Sequence, residues 1–138
     1  MRRTSPYSPA LPWPASGTIV SVPFLIVFRH LGIISDRRHQ GKPMVISNSP
    51  WSGGVSEQPW GMFTGGFDVA LAGYPSNLPP YEVLRRARSQ IGTRYSLLTW
   101  NCDHFVRYAH GLASESPQLA RAVLLLAVGT TLVLAGRR

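Results

Sequence analysis

The first half of the chain carries its apolar positions in short runs of β-branched and aromatic residues, bounded by turn residues. Runs of this kind are typical of strands rather than helices. Four such runs predict strands: residues 18–22, 24–34, 44–47 and 67–71. Pro23 is expected to break the first two strands apart, and polar residues 35–42 predict a turn. Residues 48–66 contain too many Gly and Pro residues for a long element.

The second half changes to helical spacing with recognisable start and stop signals. Residues 80–91 begin with Pro, carry an acidic residue in the first turn and are followed by Gly. Residues 101–111 begin with Asn, a capping residue, keep apolar side chains on one face and end in Gly. Both segments are predicted to be helices, and the second places Cys102 in its first turn.

The last apolar segment, residues 122–136, contains no charged residue and is followed by Arg137 and Arg138. It predicts a helix without a polar face. Fifteen residues at a rise of about 1.5 Å span roughly 22 Å, less than the roughly 30 Å of a bilayer's hydrocarbon. Two interpretations stay open: a tail that anchors the chain to a membrane, or a helix packed in the core.

Composition limits the domain organisation. The 138 residues suit one domain, and 44% hydrophobic against 14% charged residues excludes a disordered chain. Four prolines among the first sixteen residues predict a disordered lead-in over residues 1–16, and the absence of an apolar run after Arg2 and Arg3 argues against a secretory signal peptide. We expect a domain over residues 17–113, then a linker and apolar helix over residues 114–138.

The net charge of +8 comes from thirteen Arg and one Lys against six acidic residues. These basic residues are scattered in short groups without an aromatic-interleaved stripe, so we expect contact with anionic surfaces and no nucleic-acid partner. We expect a cytoplasmic protein with membrane contact through residues 122–138. One cysteine cannot form an internal disulfide or a four-cysteine zinc site, and no metal or cofactor is predicted.

Cys102 is the candidate nucleophile. The first turn of a helix offers backbone N–H groups and a positive dipole end, which lower a thiol's pKa and can hold the oxyanion of a tetrahedral intermediate. The alternative is a buried, inert cysteine that packs as a small apolar residue.

The run from Tyr95 to Val106 contains Asn-Cys-Asp-His-Phe-Val and resembles the cysteine motif of the lecithin:retinol acyltransferase-like family. This family is the circularly permuted branch of the NlpC/P60 thiol hydrolases, and its motif usually has Glu where Asp103 stands. Residues 17–20 look like its opening strand, and residues 28–34 look like its histidine strand. The resemblance therefore covers roughly residues 17–112.

The resemblance implies that His30 is the base that takes the proton of Cys102, which is the minimum pair for thiol acyl transfer. Relatives carry a second histidine on the next strand, where this chain has Ser47. Either Ser47 orients the base through a shorter hydrogen bond, or Asn48 does so after a shift of one residue. His104 and the other histidines are simpler to interpret as structural or solvated residues.

These observations predict an α+β fold of the permuted papain-like, NlpC/P60 type, in which a small antiparallel sheet carrying His30 and Ser47 packs on the helix of Cys102. The implied function is a cysteine-dependent acyl hydrolase or acyltransferase that forms an acyl-Cys102 intermediate on an acyl-lipid ester or amide. Two alternatives remain: a peptide or cell-wall amidase, and a catalytically degenerate, membrane-tethered binding module.

Overall fold

The structure is a computed structural model that describes residues 12–25 and 27–136, without the side chains of residues 132 and 134. The lead-in predicted for residues 1–16 lies mostly outside these residues. The described part contains five strands and four helices, in the order β1 (Ile19–Phe24), β2 (Phe28–His39), β3 (Lys42–Ser49), β4 (Gly54–Gln58), α1 (Trp60–Thr64), β5 (Ala70–Gly73), α2 (Pro80–Ser89), α3 (Cys102–Ala109) and α4 (Pro117–Ala135).

The strands form one antiparallel sheet in the order β4-β3-β2-β1-β5, which confirms the predicted α+β class. Side chains alternate between its two faces, as the period of a strand requires. On one face α2 and α3 bury a core of Ile19, Ile33, Ile46, Val55, Val83, Leu84, Ala87, Phe105, Val106 and Ala109. On the other face α1 covers a second cluster of Val20, Val22, Ile34, Val45, Trp60, Phe63 and Val69.

The predicted break near Pro23 falls just after it, because β1 continues through Pro23 to Phe24 and β2 begins at Phe28. Pro23 pairs with Arg29 of β2, but the main-chain N–H of Arg29 donates to a side chain outside the sheet. On its other side, β1 is paired with β5 only at residues 19–21 in the described structure. The missing N–H of proline therefore costs the sheet no hydrogen bond.

The turn predicted for residues 35–42 is also shorter than expected. Strand β2 runs on to His39, and β3 begins at Lys42, so that Gln40 and Gly41 alone form the turn. Their φ angles of 52° and 76° are those of the tight hairpin turns whose twist suits antiparallel strands. Polar side chains continue along this end of β2 because they are exposed to solvent there.

Helix α4 begins at Pro117, five residues before the predicted apolar helix. Ser116 and Pro117 supply its start, with the Ser116 Oγ accepting from the N–H of Leu119 at 3.3 Å. Past the first turn its apolar side chains are exposed, including Leu124 at 63% and Leu126 at 71%. Among the described residues, no helix is long and apolar enough to cross a membrane.

Gly32 lies in β2, on the face of the sheet that α1 covers. A Cβ at this position would lie 2.5 Å from Cγ1 of Val45 and 2.7 Å from Cε2 of Phe63. Both neighbours are buried in the cluster under α1, so neither side chain has open space to move into.

We therefore predict that Gly32→Ala lowers the free energy of unfolding by about 1–3 kcal/mol, the usual cost of overpacking a core. The measurement is urea denaturation followed by circular dichroism. Gly61→Ala is the matched control, because a Cβ at Gly61 in α1 meets nothing within 4 Å and alanine favours a helix. Equal urea midpoints for Gly32→Ala and the wild type would contradict the prediction.

Candidate active site

The N-terminus of α3 is closed by a capping box centred on Asn101. The Oδ1 of Asn101 accepts from the N–H groups of Asp103 at 2.9 Å and His104 at 3.3 Å. In return, the Nδ1 of His104 accepts from the N–H of Asn101 at 3.0 Å. This cap makes Cys102 the first residue of the helix, as the sequence predicts. His104 is therefore a structural residue, with one ring nitrogen already occupied.

The cap changes what the helix end can offer a substrate. The sequence predicted a set of free N–H groups around Cys102, but those of Asp103 and His104 are taken by Asn101. Among the described hydrogen bonds, the N–H of Cys102 has no oxygen acceptor, and it faces the residue's own sulfur. One main-chain donor beside the sulfur is thus available for an oxyanion.

Asn48 holds the segment before Cys102 against the sheet. Its Nδ2 donates to the carbonyl oxygens of Trp100 at 2.7 Å and Asn101 at 3.3 Å, and its side chain is fully buried. The Oδ1 of Asn48 has no hydrogen-bond partner in the described structure. The side-chain amide of Asn48 therefore binds on the face of the sheet that packs against α3. There it holds the segment from which α3 starts.

The thiol of Cys102 lies against the main chain of β2. Its Sγ donates to the carbonyl oxygen of Arg29 at 3.7 Å, and the N–H of Leu31 also faces the sulfur. The residue is 8% exposed. Burial is the largest influence and raises the pKa of Cys102 to about 11, with a further rise from the charge of Asp103 and an opposing effect of the nearby N–H groups.

The expected lowering of the Cys102 pKa by the helix end is therefore not found in this state. The N–H groups do favour the thiolate, but loss of water from around the sulfur outweighs them. At neutral pH the group is a protonated thiol.

His30 lies on β2 between the two residues whose main chain meets the thiol. It pairs with Val22 of β1, and its ring packs among aromatic rings, with a centroid distance of 5.3 Å to Phe63 and 6.1 Å to Trp51. Burial lowers the pKa of His30 to about 4, so the imidazole is neutral at pH 7. A neutral imidazole is the protonation state that a general base needs.

The structure thus brings Cys102 and His30 to the same three residues of β2 without joining them by a hydrogen bond. The imidazole faces the α1 side, whereas the neighbouring Leu31 packs with the core under α3. In the described structure, the ring nitrogens of His30 make no hydrogen bond to another residue. The thiol contacts the main chain of β2 at Arg29 and Leu31, the residues just before and just after His30.

Ser47 lies on β3 and shares the face of His30. It pairs with Gly32 of β2 and Ser56 of β4, and it is 1% exposed. Neither its Oγ nor that of Ser56 has a hydrogen-bond partner in the described structure. Ser49, two residues further along the same face, lines a cavity of about 360 Å³ together with His30, Trp51 and Phe63. Sequence reasoning did not single out Ser49.

Sequence patterns did not indicate Gln118, whose side-chain amide binds the main chain of Arg29 through two hydrogen bonds. Its Oε1 accepts from the N–H of Arg29 at 2.6 Å, and its Nε2 donates to the carbonyl oxygen of Arg29 at 3.0 Å. That carbonyl is the one that the thiol of Cys102 touches. The sequence Ser116-Pro117 is typical of a helix start and could have indicated an ordered turn here. The contact itself joins residues that are 89 positions apart, so no local sequence pattern predicts that Gln118 binds Arg29.

Tyr95 completes the surroundings of the thiol. It lines a cavity of about 290 Å³ beside Asn101 and Asp103, and burial together with the nearby Cys102 raises its pKa. Its phenol is thus protonated at neutral pH. Within the part of the chain that the structure describes, no three His, Cys, Asp or Glu side chains are grouped so as to hold a metal ion.

The chain matches the model of a known protein family. The model of the lecithin retinol acyltransferase family matches residues 19–112, a span that contains His30, Ser47 and Cys102. A search of curated proteins found no significant match.

The buried imidazole predicts a pH-dependent stability. The unfolded chain binds a proton at His30 below about pH 6.5, whereas the folded chain does so only near pH 4. The stabilisation is therefore complete above pH 6.5 and is lost as the pH falls towards 4, by about 3 kcal/mol of unfolding free energy. His30→Phe, which fits the aromatic surroundings, should remove this part of the acid destabilisation.

The measurement is urea unfolding at several pH values between 7 and 4. The control is His39→Gln, because His39 is exposed at the end of β2. If His30→Phe and the wild type lost stability in parallel as the pH fell, the imidazole would not be buried in its neutral form.

Proposed function

The chain belongs to the lecithin retinol acyltransferase family, a family of NlpC/P60-like thiol hydrolases and acyltransferases, and we propose that it is itself such an enzyme, with Cys102 as nucleophile and an acyl-lipid ester or amide as substrate. One observation carries the proposal. The thiol lies at the start of a capped helix, against the segment of β2 that bears a neutral, buried imidazole. Family membership itself implies acyl-lipid substrates.

The proposed reaction begins when His30 accepts the proton of the Cys102 thiol while the sulfur attacks the acyl carbonyl carbon. The carbonyl oxygen becomes an oxyanion, to which the free N–H of Cys102 donates. Collapse of this intermediate breaks the ester or amide bond, and the imidazolium returns its proton to the departing alcohol or amine. Water or another acceptor then attacks the acyl-Cys102 thioester and regenerates the thiol by the same proton transfers in reverse.

In the proposed mechanism, the protonated thiol of Cys102 and the neutral imidazole of His30 are the state of the enzyme before substrate binds. With pKa values of about 11 for Cys102 and about 4 for His30, proton transfer from the thiol to the imidazole costs on the order of 10 kcal/mol while the two groups stay apart. That cost would take up most of the barrier of an enzymatic reaction. We therefore propose that substrate binding brings the imidazole to the sulfur and changes the surroundings of both groups.

Ser47 is proposed to orient His30 during this change. Its buried Oγ is unpartnered, and it lies on the imidazole's side of the sheet. Asn48, the alternative, points to the Cys102 helix start, where its amide already binds two carbonyl oxygens. A hydroxyl is a weaker partner than a second imidazole, so this site should turn over slowly.

The first test is covalent capture of the acyl group. Wild-type protein incubated with an activated long-chain acyl ester should gain the mass of one acyl group, and Cys102→Ala should gain none while keeping its circular dichroism spectrum. His30→Ala should lower the rate of acylation at least a hundredfold, because general-base catalysis commonly contributes that much. Intact-mass spectrometry and single-turnover kinetics provide both readouts.

The outcomes distinguish the alternatives. Equal acylation of Cys102→Ala and the wild type would end the thiol mechanism. Acylation by a peptide-like amide and not by lipid esters would favour the amidase. A Cys102 that is inert towards all acyl donors would leave a binding module.

We also propose that α4 contacts a membrane surface. Leu124 and Leu126 are more than half exposed in the described structure, and the chain carries a net charge of +8 that suits anionic headgroups. Leu124→Glu combined with Leu126→Glu should reduce sedimentation with vesicles of phosphatidylcholine and phosphatidylserine at least tenfold, because burying two leucines contributes about 3–6 kcal/mol.

Leu71→Glu is the matched control, since Leu71 is an equally exposed leucine on the edge strand β5. Unchanged sedimentation of the α4 variant would place any membrane contact elsewhere on the surface.

A further inference from the structure

The first turn of α4 lies directly over the thiol's contact with β2. We propose that this turn is a latch that closes the Cys102 site, with Gln118 as the positioning residue that holds it shut. The inference concerns access to the thiol, and only the nature of the ligand that enters rests on the function proposed above.

One half of the latch is the pairing of Gln118 with Arg29. The carboxamide binds both the N–H and the carbonyl oxygen of Arg29, at 2.6 Å and 3.0 Å, in the way that a neighbouring strand would. The sulfur of Cys102 lies 3.7 Å from the same carbonyl oxygen. The side chain of Gln118 therefore occupies the strand edge beside the thiol.

The other half binds α4 to the start of α3. The Oδ2 of Asp103 accepts from the Oγ of Ser116 at 2.9 Å and from the N–H of Gln118 at 3.2 Å. The Oδ1 of Asp103 accepts from the Nε2 of Gln118 at 3.2 Å, and the Nδ2 of Asn101 donates to the Oγ of Ser116 at 3.0 Å. Asp103 is 6% exposed, so these charge-assisted bonds are shielded from water.

Gln118 lies in the wall between two cavities that share part of their lining. Volumes of about 290 Å³ and 470 Å³ both have Phe28, Arg29, Asp103 and Gln118 in their walls. The remaining walls are mainly apolar, with Leu97 and Leu119 in the first cavity and Val27 and Leu125 in the second. Withdrawal of Gln118 would join them into one mainly apolar groove that passes Arg29, whose carbonyl oxygen the thiol of Cys102 contacts. An acyl chain is the ligand class that such a groove suits.

The closed latch contributes to the burial of the Cys102 thiol and so to its raised pKa. Burial is the main reason that the pKa of Cys102 is raised, and Gln118 contributes cover at the strand edge beside the sulfur. Opening should therefore both admit a reagent and favour the thiolate, and the two effects act in the same direction. Because Cys102 is the single cysteine of the chain, its alkylation reports this opening without interference.

The experiment measures the rate of Cys102 alkylation by iodoacetamide in the full chain at pH 7.5. Gln118→Ala removes both bonds to Arg29 and the side-chain bond to Asp103. Ser116→Ala removes one of the three bonds to Asp103 and the bond from Asn101. Each variant should speed alkylation at least tenfold. Gln90→Ala is the matched control, because Gln90 lies at the end of α2, where its side chain binds only the neighbouring Ser89 in the described structure. Its rate should equal that of the wild type.

Low urea concentrations separate local opening from loss of the fold. A latch opens by a small movement, so the faster alkylation should not depend on urea below the unfolding transition. Unchanged rates in both latch variants, or acceleration that rises with urea as global unfolding does, would overturn the proposal. Acylation of Cys102 is not needed for this readout, so a failure of the proposed enzymatic function leaves the result interpretable.

Discussion

The contact of the α3 N-terminus with the main chain of β2 is the constraint on which the site depends. Cys102 reaches Arg29 only because Asn101 ends the preceding loop and starts the helix at one defined residue. Asn48 then holds that loop to β3 through two carbonyl oxygens. A shift of one residue in the cap would turn the thiol about 100° around the helix, away from the strand.

The same contact sets the chemistry of the two reactive groups. Bringing a thiol against a strand inside a small domain removes its water, and the ring of His30 loses its water among aromatic side chains on the other side. Each group is held in its neutral form, because charged forms lose most when they are buried. At neutral pH the fold therefore holds Cys102 as a protonated thiol and His30 as an unprotonated imidazole.

Asp103 links this site to the end of the chain. Its carboxylate lies at the first turn of α3 and binds Ser116 and Gln118 at the first turn of α4. The carboxylate of Asp103 thus lies at the N-termini of both α3 and α4. A negative charge in that place is stabilised by the positive end of each helix dipole. The apolar remainder of α4 extends from this point with its leucines exposed.

Local patterns were sufficient to determine the α+β class and the helix start at Cys102, because caps, turns and alternation act over a few residues. The resemblance to a known family, and not these patterns, indicated His30 as the partner of Cys102. Local patterns did not show that β1 continues through Pro23, since the tolerance of this proline depends on which side of β1 lacks a partner. They also missed Ser49 and Gln118, and they could not show that Asn48 points towards α3 while Ser47 points towards α1. The directions of Asn48 and Ser47 depend on strand register, and the role of Gln118 depends on a contact between residues 89 positions apart. The pKa values of Cys102 and His30 depend on burial. Only the packed tertiary structure decides these properties, because each arises from residues that are distant in the sequence.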